Sequence, residues 1–419
     1  FTTSNIAADH NQLTMEMMKK IALKHGLVCL LHEKPFAGVN GSGKHNNWSI
    51  SSNDGQNLLD PGDTPLHNMQ FLTFLCAIIK GVHEYAPLLR LSAASAGNDH
   101  RLGANEAPPA VVSIFIGDDL QKVLDALENG TNIKTDQDLE FVIGVDALPN
   151  FRKDATDRNR TSPFAFTGNK FEFRMLGSAD SISCTNTIMN TIVAQELCEF
   201  ADKLEQAEDF DKALKELLIQ TIKEHKAIIF NGNGYSDEWL EEAARRGLPN
   251  LVSTVDALPH YMDPQNIAMF EKFHVYTKEE IASRTDILLE NYSKVINIEA
   301  MTMLDMTKKK LLPAAMEYGK KICDTAIAKK QLGLDASAET KLAADLDSNT
   351  AKMYEAMQAL ESKVNAAKEI GDVLECAKAY RSQVFSAMSD LRTYADQLEM
   401  LVSAEDWPLP PYSDLLFNV

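Results

Sequence analysis

An α+β region of about 190 residues followed by a mostly helical remainder is the architecture this sequence of 419 residues predicts. Three observations carry that reading. Helical, strand-like and glycine-rich stretches alternate up to about residue 190. Beyond about residue 187 almost every segment has three- and four-residue apolar spacing, and clusters of β-branched residues become scarce. The composition is that of a packed globular chain, with 45% hydrophobic and 24% charged residues, 20 Gly and 15 Pro, and the length corresponds to roughly two or three domains.

The elements follow in order. Leu13, Met17, Met18 and Ile21 recur at helical spacing within 9–26, and Gly26 ends the run. The apolar run 27–31 has strand length, and His45 to Ile50 reads as a second strand after three glycines between Gly38 and Gly43. A turn-rich loop, 51–63, leads to one apolar helix from about Asn68 to Leu89, then to a polar loop, Ser95 to Pro109. The β-branched run 110–116 predicts a strand, 118–128 a helix, and 141–145 and 171–175 short strands. One or two long helices are expected over 187–228, a Gly-, Asn- and Pro-rich connection over 229–263, and another long helix over 278–330. Periodic apolar positions from Leu342 to Leu401 predict an antiparallel helical hairpin bent at Gly371-Asp372. Pro408, Pro410 and Pro411 make the start of the tail non-helical, so Trp407 to Val419 is expected to pack as an extended strap. The domain expectation is therefore a partial α+β domain at 1–190, a helical and loop continuation at 191–264, a helical bundle at 265–406 and a tail at 407–419.

The net charge is −19, and residues 191–419 hold 39 acidic against 25 basic residues, compared with 21 and 16 in the first 190. Such a field repels nucleic acid and anionic membrane surfaces, and no Lys/Arg-rich run opposes it. Small-molecule or protein partners are expected instead. No apolar stretch reaches the eighteen or so residues of a spanning helix, and the first residues lack a basic-then-apolar signal pattern. The six cysteines are scattered without a CxxC pair, which suits reduced thiols in the cytoplasm.

Three stretches carry candidate chemistry. Gly38-Val-Asn-Gly-Ser-Gly43-Lys44-His45 nearly fits a phosphate-binding GxxxxGK[ST] loop. His45 replaces the final hydroxyl, however, and a strand follows where that motif needs a helix N-terminus. The bland alternative is a flexible glycine turn. On the following strand, alternation puts His45, Asn47 and Ser49 on one face, an imidazole, an amide and a hydroxyl suited to a metal-bound polyphosphate. The strand Lys170-Phe-Glu172-Phe-Arg174 places its three charges on one face. A solvated edge is the ordinary reading, but cations flanking one carboxylate also suit phosphate binding with a metal ligand. The third stretch, Asn98 to Pro109, reads by itself as a mere connection.

Together, HEKPFAGVNGSGKHNNWS (32–49), the loop 98–109, NRTSPFAFTGNKFEFR (159–174) and Phe230-Asn-Gly-Asn-Gly-Tyr-Ser, in that order, resemble glutamine synthetase of the type III branch. The resemblance spans essentially the whole chain. It implies a catalytic domain built on an antiparallel sheet with helices, followed by a helical C-terminal extension. It also implies synthesis of glutamine from glutamate and ammonia with ATP, through γ-glutamyl phosphate. His45 and Glu172 would hold Mg²⁺ or Mn²⁺; Asn40, Gly41, Arg101 and Arg174 would meet glutamate; Asn47, Ser49, Arg160 and Lys170 would meet the nucleotide. Arg160 and Arg174 would clamp phosphate, and Glu106, in a flap, would take a proton from ammonium. The partners implied are glutamate, ammonium, ATP and copies of the same chain in stacked rings, a dodecamer.

The sequence departs from the family pattern in three places: Ala165 stands where better-known branches have a second Arg, Asn47 replaces a His, and the flap is one residue shorter between Arg101 and Glu106. A β-rich N-terminal domain and several metal-binding glutamates that precede the position of Phe1 in the family have no counterpart here. These 419 residues alone are accordingly expected to be inactive. Two other readings stand beside this one: a non-catalytic helical assembly protein derived from the family, and another ATP-dependent carboxylate ligase.

Overall fold

The structure is a computed structural model that describes residues 2–36, 38–103, 107–130, 161–411 and 414–415, with 140–141 and 151–152 as backbone. The chain forms two compact units, Phe1–Thr285 and Asp286–Val419.

The first unit opens with α1 (Ser4–Lys24). Gly26, at φ +70, closes it through Gly26 N–H to the Leu23 carbonyl and Leu27 N–H to that of Ala22. The helix forms where expected, but its apolar stripe does not enter a core. Leu13, Met17, Met18 and Ile21 are 60, 43, 47 and 48% exposed, and Met15 is the buried residue of the helix. The run 27–31 is not a strand: it makes no ladder, and Leu27, Val28 and Leu30 are exposed. An apolar run at strand length becomes a strand only where another strand offers it hydrogen bonds.

Strand β1 (Gly43–Trp48) follows the glycine loop. The single helix expected over 68–89 is two, α2 (Met69–Glu84) and α3 (Ala86–Leu91), broken at Tyr85 just before Pro87. Asn68 caps α2 by accepting the Phe71 N–H at 3.0 Å. The polar loop 95–109 contains a one-turn helix, α4 (Ala96–Asp99), and is anchored rather than a loose connection, as its buried Asn98 and Arg101 attest. The strand expected over 110–116 shortens to β2 (Ile114–Phe115), and α5 (Gly117–Asn129) follows as expected. β3 (Glu140–Phe141) and β4 (Phe151–Arg152) pair with each other; the remainder of the strand expected over 141–145 lies outside the described residues.

β5 (Phe164–Phe166) was not foreseen, and β6 (Phe171–Gly177) extends the expected 171–175 strand. The four-stranded sheet has the order β1-β6-β5-β2. It is mixed rather than antiparallel, because β2 pairs β5 in parallel while the other two pairings are antiparallel. One face of the sheet is aromatic. The Phe164 and Phe171 rings stack at 4.6 Å, Phe173 meets Phe164 edge-on, and Phe71 from α2 meets Phe166 at 5.9 Å. That packing fixes which way Glu172 and Arg174 point, since their neighbours 171 and 173 are committed to the opposite face.

Where one or two long helices were expected over 187–228 there are two, α6 (Ile182–Glu205) and α7 (Phe210–His225). The connection over 229–263 is more structured than expected, containing α8 (Asp237–Arg245), α9 (Thr254–Ala257) and a 3₁₀ segment, Leu258–Met262. Ser residues 236 and 253 cap the two helices, a local signal that composition alone hides. α10 (Pro264–Lys272) completes this stretch.

Helix α11 (Lys278–Met306) runs through a π-turn, Thr307–Leu311, into α12 (Leu312–Gln331), so 278–330 is helical as expected. Pro313 has no N–H for the carbonyl four residues back, and the π-turn precedes it. In the second unit, α13 (Ser337–Lys368) packs against α12 and against α15 (Phe385–Glu399). α14 (Val373–Ala379) follows the turn at Gly371-Asp372, where the hairpin was expected to bend. Leu346, Met353, Leu360, Val364, Val384, Leu391 and Leu398 form its buried seam. Trp407 is buried and the prolines after it are non-helical. None of the six cysteines forms a disulfide, and among the described residues no helix is long and apolar enough to cross a membrane.

Candidate active site

Strands β1 and β6 build the site. Asn47 lies in register with Glu172, Trp48 with Phe171 and Asn46 with Phe173, but the register slips between Lys44 and Asn46. Arg174 and Met175 therefore oppose the single residue His45, and a bulge of this kind re-aims side chains. The alternation read from sequence holds along β1. Asn46 and Trp48 point inward, where Asn46 Nδ2 donates to Asn186 Oδ1 and Trp48 Nε1 to Asn190 Oδ1, both at 2.8 Å. These bonds pin the strand to α6 and turn His45, Asn47 and Ser49 to the open face.

His45 and Glu172, 127 positions apart, are brought into contact, with His45 Nδ1 2.8 Å from Glu172 Oε1. Arg174 Nε and Nη2 donate to the other oxygen, Oε2, at 3.0 and 2.7 Å. The charged face of β6 is thus not a solvated edge, for Glu172 is 8% and Arg174 3% exposed. The hydrogen bond from His45, reinforced by Arg174, holds the Glu172 carboxyl down at about 2 against the opposing effect of burial. An ionised carboxylate makes Nδ1 the donor and leaves Nε2 as the ring nitrogen not engaged with Glu172. One imidazole and one anionic carboxylate side by side are a nitrogen and an oxygen donor of the kinds that ligate divalent cations. Among the described residues no third His, Cys, Asp or Glu joins them in a cluster able to hold a metal.

Beside this pair, Asn47, Ser49 and Lys170 line a polar cavity of about 290 Å³ together with Asn46, Asn57, Asn169, Asn186 and the start of α1 at Thr2 and Ser4. Ser49 Oγ lies 2.9 Å from Asn57 Oδ1 and 3.0 Å from the Asn169 carbonyl, so its hydroxyl is oriented by the turn before β6. Asn57, Asn169 and Asn186 were not singled out from sequence, because their contribution depends on a loop and a helix that meet only in the fold.

The other expected residues divide. Asn40 and Gly41 lie in the glycine loop, whose base is closed by Ser42 N–H to the Glu33 carbonyl at 2.8 Å. Arg101 is buried, and its guanidinium addresses the main chain: Nη1 reaches the Leu176 carbonyl at 3.2 Å and Asn98 Oδ1 at 3.3 Å, and Nη2 the Arg174 carbonyl at 3.4 Å. It also occupies the space a side chain at Gly43 would need. Arg101 therefore braces the β1–β6 end of the sheet, a role that spacing in the loop could not reveal. Asn98 does the same, its Nδ2 donating to the carbonyls of Ala93 and Met175 at 2.7 Å each. Ala165, the departure from the family pattern, lies in register with Glu172 and is fully buried. Glu106 and Arg160 lie outside the described residues.

A family model described as "Glutamine synthetase, catalytic domain" matches residues 1–112, and one described as "Glutamine synthetase C-terminal domain" matches residues 213–330. A glutamine synthetase of Butyrivibrio fibrisolvens is 47% identical over all of this chain and 60% of its own length. The chain belongs to the glutamine synthetase family.

Two further relatives in the glutamine synthetase family align with the whole chain. A type-3 glutamine synthetase of Dictyostelium discoideum is 41% identical over 58% of its length, and a glutamine synthetase of Bacteroides fragilis 40% identical over 59%. The chain thus spans about three fifths of the length of the curated relatives it matches. Both strands of the β1–β6 pair lie within these alignments, although β6 falls between the stretches matched by the two family models.

Proposed function

We propose that these residues form part of the active site of a type III glutamine synthetase, which joins glutamate and ammonia at the expense of ATP. The contact of His45 with Glu172, backed by Arg174 in a chain of this family, is the observation that carries the reading. In the proposal, His45 and Glu172 hold Mg²⁺ or Mn²⁺, which supplies charge neutralisation for the transferring phosphoryl group. Two donors fill only part of the six or more positions such an ion takes, so the proposal requires further oxygen ligands from outside the described residues.

The remaining roles are assigned by the chemistry of each group. The polar cavity at Asn47, Ser49 and Lys170 receives the nucleotide, with Arg160 on its phosphates. Asn40 and Gly41 in the glycine loop meet glutamate. The γ-carboxylate oxygen of glutamate attacks the terminal phosphorus of ATP, releasing ADP and giving γ-glutamyl phosphate. Ammonia then attacks the acyl carbon and expels phosphate, and Glu106 accepts the proton that ammonium gives up. Arg174 is assigned to holding Glu172 and Arg101 to bracing the sheet, rather than to clamping substrate. The alternative of a non-catalytic assembly protein leaves the buried Arg174–Glu172 pair, with His45 set against it from the open face, without a use. Assembly into rings with copies of the same chain belongs to the proposal as well.

The test is ADP release by the full-length protein with Mg²⁺ or Mn²⁺. Turnover that needs glutamate and ammonium together supports the reading; turnover indifferent to ammonium would sink it.

A further inference from the structure

Asn57 has no step in the proposed function, yet the fold uses both ends of its amide. The residue sits in the turn-rich loop after β1, which folds back on the strand. Leu58 N–H donates to the Ile50 carbonyl at 2.9 Å, Ser51 and Asn57 form an isolated antiparallel bridge, and the fully buried Leu59 anchors the end of the return. Asn57 Oδ1 accepts the Leu59 N–H at 2.9 Å, and Asn57 Nδ2 donates to the Asn169 carbonyl at 2.8 Å. One partner is a main-chain donor and the other a main-chain acceptor, so the amide stands only one way round. Its oxygen is therefore what Ser49 Oγ meets, at 2.9 Å.

The Asn169 carbonyl, 3.0 Å from the same Oγ, is an acceptor too. It belongs to the tight turn before β6, closed by Thr167 N–H to the Lys170 carbonyl at 2.8 Å with Gly168 at φ +90. A hydroxyl carries one proton and two acceptor lone pairs. Both of these neighbours accept, so Ser49 gives its proton to one of them and receives nothing from either. The lone pairs of Oγ are thus left for the polar cavity of about 290 Å³ that Ser49 lines with Asn47, Asn169 and Lys170. A serine free to rotate would take either role; this one is preset as an acceptor.

We propose that Asn57 is a positioning residue for nucleotide selection: with the Asn169 carbonyl it commits the Ser49 proton, so that Ser49 accepts a hydrogen bond from a donor on the nucleoside. The proposal rests on the reading of this cavity as the nucleotide site, and it adds which end of the nucleotide lies against Ser49. Ionised phosphate oxygens only accept, so they find no partner in a preset acceptor. The donors that a nucleotide such as ADP carries are the amine of its base and the hydroxyls of its ribose. A site that offers one fixed acceptor discriminates against a ligand lacking the matching donor, because the polar group of the site is then left unpaired.

The experiment is calorimetric titration of the full-length protein, with Mg²⁺ present, by ADP and by three analogues: purine riboside diphosphate, which lacks the base amine, 2′-deoxy-ADP and 3′-deoxy-ADP. The first analogue tests the base as the source of the donor and the other two the ribose. One of the three is expected to bind the parent about tenfold more weakly than ADP, and to bind Ser49→Ala as well as ADP does. Asn57→Ala, with Ser49 intact, is expected to cut that preference to about threefold or less. Asn57→Asp keeps an acceptor for Ser49 and Leu59 and is expected to retain the preference; it decides the part of Asn57 if the alanine variant does not fold. In kinetics, Asn57→Ala raises KM for ATP severalfold and leaves kcat and KM for glutamate unchanged, a split that general destabilisation would not give. The proposal is overturned if all three analogues bind the parent like ADP, if the preference survives in Ser49→Ala or in Asn57→Ala, or if Asn57→Asp loses it. A parent that binds no ADP overturns the functional reading as well, whereas a parent that binds ADP without discrimination overturns this proposal alone.

Discussion

Replacing Glu172 by Gln in the full-length protein is expected to lower kcat/KM for glutamine formation by about 10²- to 10³-fold, the scale on which loss of one electrostatic partner at a reacting phosphoryl or acyl group is felt. The carboxylate is the anionic half of the His45–Glu172 pair and is ionised throughout the neutral range because its carboxyl is held at about 2. An amide keeps the shape and can still accept the His45 hydrogen bond, but it brings no charge to a cation. The same change leaves the buried Arg174 guanidinium opposite a neutral group. A lowered melting temperature is therefore expected beside the lost activity. The two effects separate on adding Mn²⁺: the parent protein gains thermal stability with increasing ion concentration, and Glu172→Gln gains far less. Unchanged kcat/KM in the variant would remove Glu172 from the reaction.

Arg174→Lys is expected to reduce activity or divalent-ion affinity by about 10- to 100-fold, the usual consequence of disturbing the group that orients a metal-binding carboxylate. Arg174 delivers two N–H groups, Nε and Nη2, to the one oxygen Oε2, and it does so from a side chain that is 3% exposed. A lysine keeps the positive charge but presents a single ammonium on a flexible stem, so it cannot reproduce the fork. Titration of Mn²⁺ into parent and variant, followed by ADP release at saturating ion, reads both quantities. If Arg174 instead clamped substrate, Arg174→Lys would raise KM for glutamate or ATP with ion affinity unaltered.

What could be read from the sequence depended on how local the cause was. The glycine loop, β1 and its alternation, and the charged positions of β6 were legible because a two-residue period fixes the face of each side chain once the strand is recognised. The meeting of His45 with Glu172 was foreseeable from motif resemblance but not from pattern, since it requires the register of β1 against β6 and the bulge opposite His45. Arg101 and Asn98 show the opposite case, a structural role that the loop's composition hides. A loop rich in polar residues looks solvated, yet these two are buried because the main-chain carbonyls of β6 need donors there. The run 27–31 failed as a strand although its composition is right, because a strand is defined by a partner and not by its own residues. β5 escaped notice because Phe164–Phe166 is three residues long, too short for any period to show. The helical half was the most readable, with one hairpin seam from Leu346 to Leu398 that follows the three- and four-residue steps.

The most direct test of the account is whether His45 touches the divalent ion. Mn²⁺ bound to the full-length protein should show, by pulsed electron paramagnetic resonance, the modulation of a directly coordinated imidazole nitrogen, and that signal should vanish in His45→Ala while protein-bound Mn²⁺ remains detectable at higher ion concentration. Nitrogen modulation that persists unchanged in His45→Ala, or its absence from the parent protein with Mn²⁺ bound and glutamine being formed, would contradict the placement of the metal at the β1–β6 pair.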